Sequence, residues 1–246
     1  MIELRGLRKS FGPNTVLDGI DLDVARGKSL VVIGGSGTGK SVLLKCILGL
    51  VAPDAGTIRL GGQDVTRLPR DAFLSRFGML FQGGALFDSL PVWQNVAFRH
   101  LKARMPRAEA RARAIDALAR VGLPERTADL YPAELSGGMQ KRAALARAIA
   151  ASPEVVFFDE PTAGLDPIMA GVINRLIREA VTDLGATAVT ITHDMTTVHT
   201  VADRVALLHG GKLRWMGPTA DLDHSGDPFV EQFIHGRPDG PIATLR

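Results

Sequence analysis

Alternation of apolar and polar positions opens the chain. Residues 2–7 read as a β-strand, and residues 16–24 repeat the pattern with Val16, Ile20, Leu22 and Val24 on the apolar phase. Residues 29–33 are a short, nearly all-apolar run, as expected of a strand buried on both faces. A glycine-rich turn follows, then a helix over 41–50. Further strands are predicted at 57–60, ended by Gly61-Gly62, and at 77–81. From about 92 to 151 the pattern is helical, with Ala/Arg-rich segments at 107–121 and 138–151. Strand character returns at 155–158 and 187–192, on either side of a helix near 168–184. Residues 205–208 and 213–216 flank Gly210-Gly211 and predict a hairpin with a tight turn. Residues 235–241 are rich in Gly and Pro and predict turns. Strands alternating with helices imply an α/β fold with a largely parallel sheet, into which 92–151 is inserted as a helical subdomain.

Composition narrows the class. The 246 residues are 46% hydrophobic and 22% charged, which excludes a disordered or fibrous chain. Apolar runs such as Val155-Val156-Phe157-Phe158 fall far short of the ~20 residues that cross a bilayer. The start, Met1-Ile2-Glu3-Leu4-Arg5, has no apolar signal-peptide core, and the single cysteine, Cys46, excludes an intrachain disulfide. A cytoplasmic protein is expected. Twenty-nine basic against 26 acidic residues leave +3, but the basic residues are scattered. The densest stretch, 104–120, alternates Arg with Ala and carries Glu109 and Asp116, which suits a solvated helix face better than a nucleic-acid patch. No nucleic-acid partner is expected.

Chemistry enters at Gly34-Gly35-Ser36-Gly37-Thr38-Gly39-Lys40-Ser41, which fits the phosphate-binding pattern G-x-x-x-x-G-K-[ST] between a buried strand and a helix. Its glycines let successive N–H groups converge on phosphate oxygens, and the helix end adds partial positive charge. Lys40 would neutralise the β/γ-phosphates of ATP and Ser41 would ligate Mg²⁺. Asp159 ends the apolar run 155–158, where its carboxylate can hold the Mg²⁺ shell. Glu160, next to it, is placed to deprotonate an attacking water. A phosphate loop by itself fits a kinase, a GTPase or a helicase equally well.

Leu135-Ser136-Gly137-Gly138-Met139-Gln140 separates these readings, because it resembles the signature of the ATP-binding cassette (ABC) ATPases. The resemblance runs through nearly the whole chain. It implies an α/β P-loop NTPase core with an N-terminal antiparallel β-subdomain and an inserted α-helical subdomain. The implied division is 1–91 and 152–222 for the nucleotide-binding core, 92–151 for the signature subdomain and 223–246 for a C-terminal extension. It also implies that Ser136, Gly137 and Gly138 face the γ-phosphate of ATP held by the other subunit of a homodimer. Phe11 matches the aromatic that stacks on adenine, with Val16 behind it; the alternative is a core Phe. Gln82 matches the glutamine that reaches Mg²⁺ and the water, and His193 the histidine that contacts the γ-phosphate. Asp166, in Ala163-Gly164-Leu165-Asp166, matches the loop that crosses the dimer interface.

Two further stretches are similar to the ATPases of Mla/Mce-type phospholipid transport systems. One is Gln82-Gly83-Gly84-Ala85-Leu86-Phe87 followed by Val92-Trp93-Gln94-Asn95-Val96-Ala97; the other is 158–168. The tail 236–241 is similar to their C-terminal extension. This resemblance implies an ATPase peripheral on the cytoplasmic face of the inner membrane, coupled to separate permease subunits. Through them it would reach a periplasmic Mce-domain protein, with a small STAS-domain subunit as a further partner. Phe87 or Trp93 would then anchor a permease helix, unless both pack the subdomain. A polar amino-acid importer ATPase and a non-transport cassette for iron–sulfur assembly stay open as alternatives.

Overall fold

The computed structural model describes residues 1–243, apart from the Thr66 side chain. The last three residues of the expected C-terminal extension lie outside the described residues. The first elements are β1 (Ile2–Phe11), β2 (Asn14–Val24), β3 (Ser29–Ile33), α1 (Lys40–Ile47), β4 (Ala55–Leu60), β5 (Gln63–Asp64) and α2 (Arg70–Ser75). Then come β6 (Phe77–Leu80), α3 (Val92–Val96), α4 (Phe98–Lys102), α5 (Arg107–Arg120), α6 (Gly137–Ile149), β7 (Val155–Asp159) and α7 (Pro167–Leu184). The chain continues with β8 (Thr187–Ile191), α8 (Met195–Val201), β9 (Arg204–His209), β10 (Lys212–Pro218) and α9 (Pro228–Ile234). No helix among the described residues is long and apolar enough to cross a membrane. Two compact units emerge, one from residues 1–74 with 189 onward, the other from residues 75–188.

The first unit holds an antiparallel sheet ordered β2-β1-β4-β5. Its apolar face is built by cross-strand partners, Ile2 opposite Val24 and Leu4 opposite Leu22, all buried. The expected phase slips at one point, since Leu17 rather than Val16 is fully buried. Gly19, at φ 74°, bulges β2, so that β1 steps from Leu7 opposite Ile20 to Arg8 opposite Asp18. Beside this sheet β3, buried at every residue, pairs parallel with β9. The hairpin β9–β10 forms where the sequence places it, with both turn glycines at positive φ, as a tight turn of this kind requires.

In the second unit β6 and β7 pair in parallel, Phe77 opposite Val155 through Leu80 opposite Phe158. Helix α6 packs on β6, with α3, α5 and α7 against it. Its buried face is mostly alanine (Ala143, Ala144, Ala146, Ala148), so it approaches the strand closely. A Cβ at Gly78 would collide with the Ala148 carbonyl. The alternating Arg/Ala segment is indeed a solvated face: α5 buries Ala110, Ala114, Ala117 and Leu118 and pairs Arg113 with Glu109 at 2.8 Å.

Not every element shows in the periodicity. β5, α2, α8 and α9 are seven residues or fewer and give too little repeat to read. α9 does carry a start signal, since Asp227 caps it from Phe229 and Val230 N–H and Pro228 stands at its first position. Past α9 the expected turns are present, drawn in by buried Gln232. Its amide donates to the Arg237 and Ile242 carbonyls at 3.2 and 3.0 Å and accepts from Ile242 N–H at 2.6 Å.

Candidate active site

The first unit carries the phosphate loop, Phe11, Val16 and His193. β3 ends at Ile33, and the chain turns over six residues into α1. A Cβ at Gly34 would strike the Leu208 carbonyl on β9. Gly39, the left-handed N-cap of α1 at φ 103°, would bring one within 2.9 Å of the Val16 carbonyl and 3.0 Å of Val16 Cγ1. Only glycine fits either place. Lys40 is 9% exposed, and its Nζ donates to the Gly34 and Gly35 carbonyls at 2.6 and 2.8 Å. Thr38 Oγ1 donates to Gly35 O at 2.9 Å, tying the loop into a closed curve.

No side chain caps α1, and its first turn holds no acidic residue. The helix-end N–H groups and their partial positive charge are therefore left to the loop, which suits a phosphate. Ser36, Gly37 and Ser41 are exposed, and nothing stands within 4 Å of a Cβ at Gly37. Phe11 is 50% exposed, with the Lys9 ammonium 5.3 Å from its ring centroid, so it is not a core residue. His193 is also exposed and follows Thr192, whose N–H donates to Val32 O at 3.3 Å beside the end of β3.

The second unit carries Gln82, the 136–138 segment, Asp159, Glu160 and Asp166. Ser136 caps α6 by accepting from Met139 N–H at 3.3 Å, and Gly137 opens the helix with no atom within 4 Å of a would-be Cβ. A Cβ at Gly138 would meet only the Met169 Cε terminus, at 2.7 Å. Asp159 ends β7 and Glu160 follows it, both half-buried. Glu160 has φ 45°, a left-handed conformation uncommon for a residue with a side chain and shared among the described residues with Ala85, Arg104 and Ser152. Asp166 caps α7, its Oδ1 accepting from Ile168 and Met169 N–H at 3.0 Å. Gln82 is exposed in the loop after β6.

Three residues that hold this loop were not singled out from the sequence. Asn95 is fully buried; its amide accepts from Phe87 N–H at 2.7 Å and donates to the Leu90 carbonyl at 2.9 Å. Arg147 donates to the Gly84 and Ala85 carbonyls at 2.7 Å each. Lys141, 7% exposed, donates to the Gln82 carbonyl. Burial pushes the Lys141 ammonium's pKa down, and the charges of Asp159 and Glu160 pull it partly back. An amide inside an apolar run was a readable signal for Asn95. The two cations carry no such signal, since they stand on an alanine-rich helix with nothing local to mark their partners. Of the apolar residues that follow Gln82, Val92 and Trp93 are core. Phe87 is 43% exposed, its ring 4.9 Å from that of Phe98, itself 40% exposed.

A strand, phosphate loop and helix with Lys40 turned into the loop, and an acidic pair ending a buried strand, define a P-loop nucleotide hydrolase. Residues 17–163 match the ABC transporter family model, and the chain belongs to that family as an ATP-binding, ATP-hydrolysing subunit that uses ATP with Mg²⁺. Members of the family act as dimers with a membrane permease. The chain is 41% identical to the chloroplastic protein trigalactosyldiacylglycerol 3 of Arabidopsis thaliana, over 98% of this chain and 75% of that one. It is 39% identical to the intermembrane phospholipid transport system ATP-binding protein MlaF of Escherichia coli K12, over 98% and 91%. The probable ribonucleotide transport ATP-binding protein mkl of Mycobacterium leprae is also 39% identical, over 98% and 70%. Among solved structures, the cassette MJ0796, a dimer in a post-hydrolysis state with ADP and Pi, superposes with TM-score 0.80 at 30% identity, covering 89% of this chain and 99% of that one. The expected ABC ATPase fold is thereby established.

Proposed function

We propose that the chain powers phospholipid transport between membranes, as one half of a homodimer seated on a separate permease at the cytoplasmic face of the inner membrane. The observation that carries this reading is the match to the E. coli phospholipid-transport ATPase over 98% of this chain and 91% of that one. An Mce-domain lipid carrier and a small STAS-domain subunit complete the proposed assembly. The mycobacterial relative, whose name specifies ribonucleotide transport at the same identity, supplies the competing cargo.

In this reading Phe11 stacks on adenine with Val16 beneath, and the N–H groups of 34–41 with Lys40 hold the phosphates. Hydroxyl, carboxylate and amide oxygens from Ser41, Asp159 and Gln82 are the hard donors that magnesium prefers. Bound there, the metal neutralises charge on the phosphoryl oxygens. Gln82 orients the attacking water and Glu160 takes its proton on a carboxylate oxygen. His193 steadies the γ-phosphate, and Ser136, Gly137 and Gly138 of the second copy donate to it from the start of α6. Asp166 lies where the two copies meet. The test is to purify the chain with its membrane partner and identify what is bound by mass spectrometry. Glycerophospholipid in the complex, with hydrolysis that responds to it, is the expected result. A complex that carries nucleotide or amino acid as cargo would overturn the lipid reading and leave the ATPase intact.

A further inference from the structure

The loop from Gln82 to Pro91 is held by side chains rather than by a sheet or helix ladder. Arg147 takes the Gly84 and Ala85 carbonyls, Asn95 takes Phe87, Leu90 and Pro91, and Lys141 takes Gln82 itself. Folding does not call for a cation at position 141. Burying an ammonium is costly, and an apolar side chain of similar length often packs at least as well. The Gln82 carbonyl belongs to an exposed residue and can be hydrated if its partner is removed. A buried lysine that the fold can do without points to another use.

We propose that Lys141 is a positioning residue for ATP hydrolysis: its ammonium fixes the Gln82 backbone and so sets where the Gln82 side chain reaches. The inference rests on the reading that Gln82 orients the attacking water. Lys141 lies just past the first turn of α6, five residues beyond the Ser136 cap, so the helix that begins with the signature also aims the glutamine. The Asp159 and Glu160 charges act on the same ammonium and favour its charged form against burial.

The test compares Lys141→Met, Lys141→Arg and Gln82→Ala, singly and combined, in the chain purified with its membrane partner. Lys141→Met should lower kcat about tenfold to a hundredfold, the worth of one charge-assisted hydrogen bond. Its affinity for a fluorescent ATP analogue should stay within about twofold of wild type, a change of a few tenths of a kcal/mol. Its melting temperature should equal or exceed wild type, where a merely structural lysine would lower it. Lys141→Arg should restore much of the lost rate. In a Gln82→Ala background Lys141→Met should cost less than about threefold, because residues acting through one another are not additive. Full turnover in Lys141→Met, or its full loss repeated in the Gln82→Ala background, overturns the proposal. Should Lys141→Met not fold, the lysine is structural and the proposal fails, unless Lys141→Gln folds and shows the same selective loss of kcat. Wild-type turnover in Gln82→Ala alone would instead overturn the reading of Gln82.

Discussion

Glu160 joins two demands that substitution can separate: a carboxylate for the water and a left-handed backbone at φ 45°. Glu160→Gln keeps the shape and removes the base, so turnover should fall by roughly 10²–10⁴-fold while ATP still binds. Such a variant should accumulate as an ATP-loaded dimer, visible by gel filtration. The backbone demand is read by comparing Glu160→Ala with Glu160→Gly, since neither carries the carboxylate. A side chain in the left-handed region costs about 1–2 kcal/mol, and glycine's extra chain entropy takes back about 0.5–1. Glycine should therefore be the more stable of the pair by about 0.75 kcal/mol at the middle of the two ranges, whose difference spans roughly 0–1.5. In a chain of this size that is a melting temperature higher by roughly 1–4 °C. At a position with ordinary φ the order reverses. Alanine more stable than glycine would refute the strain argument, and near-normal turnover in Glu160→Gln would remove Glu160 from the chemistry.

Lys40→Ala removes the cation held at 2.6 and 2.8 Å by the Gly34 and Gly35 carbonyls, and should abolish nucleotide binding in a fluorescence titration. Phe87→Ala should shift melting by only a degree or two, because Phe87 is 43% exposed, yet reduce recovery with the solubilised permease. Trp93→Ala, at 8% exposure, should instead cost about 3–5 kcal/mol and unfold the second unit early in a thermal scan. Gly138→Asp should spare ATP binding by the monomer but block ATP-driven dimerisation in light scattering, since like charges would meet at the γ-phosphate. Burial at 1% exposure raises the Cys46 thiol pKa, so alkylation at neutral pH should be negligible until denaturant is added.

What could be read from the sequence followed from how local each determinant is. The phosphate loop carries its residue pattern within eight residues, so that pattern and the neighbouring elements suffice. The strands β3 and β7 declare themselves as apolar runs because both their faces are covered. The alternation puts Val16 on the apolar phase where the fold buries Leu17, because the bulge at Gly19 breaks period two without altering the composition of the strand. Lys141 and Arg147 are hidden in the sequence for a different reason. A cation on a helix looks the same whether it meets water or a carbonyl of a loop some 60 residues away in sequence. The left-handed turn at Glu160 carries no glycine or asparagine to announce it.

Helix α6 also fixes a phase relation. Its cap at Ser136, its hold on Gln82 at Lys141 and its hold on Gly84 and Ala85 at Arg147 are read off one helical clock. Each residue advances that clock by about 100° and 1.5 Å. One residue inserted or lost between 139 and 146 would turn Arg147 away from the loop, and one lost before Lys141 would misaim both cations. The bend at 103–106 is mostly exposed and can absorb changes in length, whereas the turn at 121–124 is tied to α6 by Arg142, which donates to the Gly122 carbonyl at 3.1 Å. Between Ser136 and Arg147, then, the chain has no freedom to gain or lose a residue.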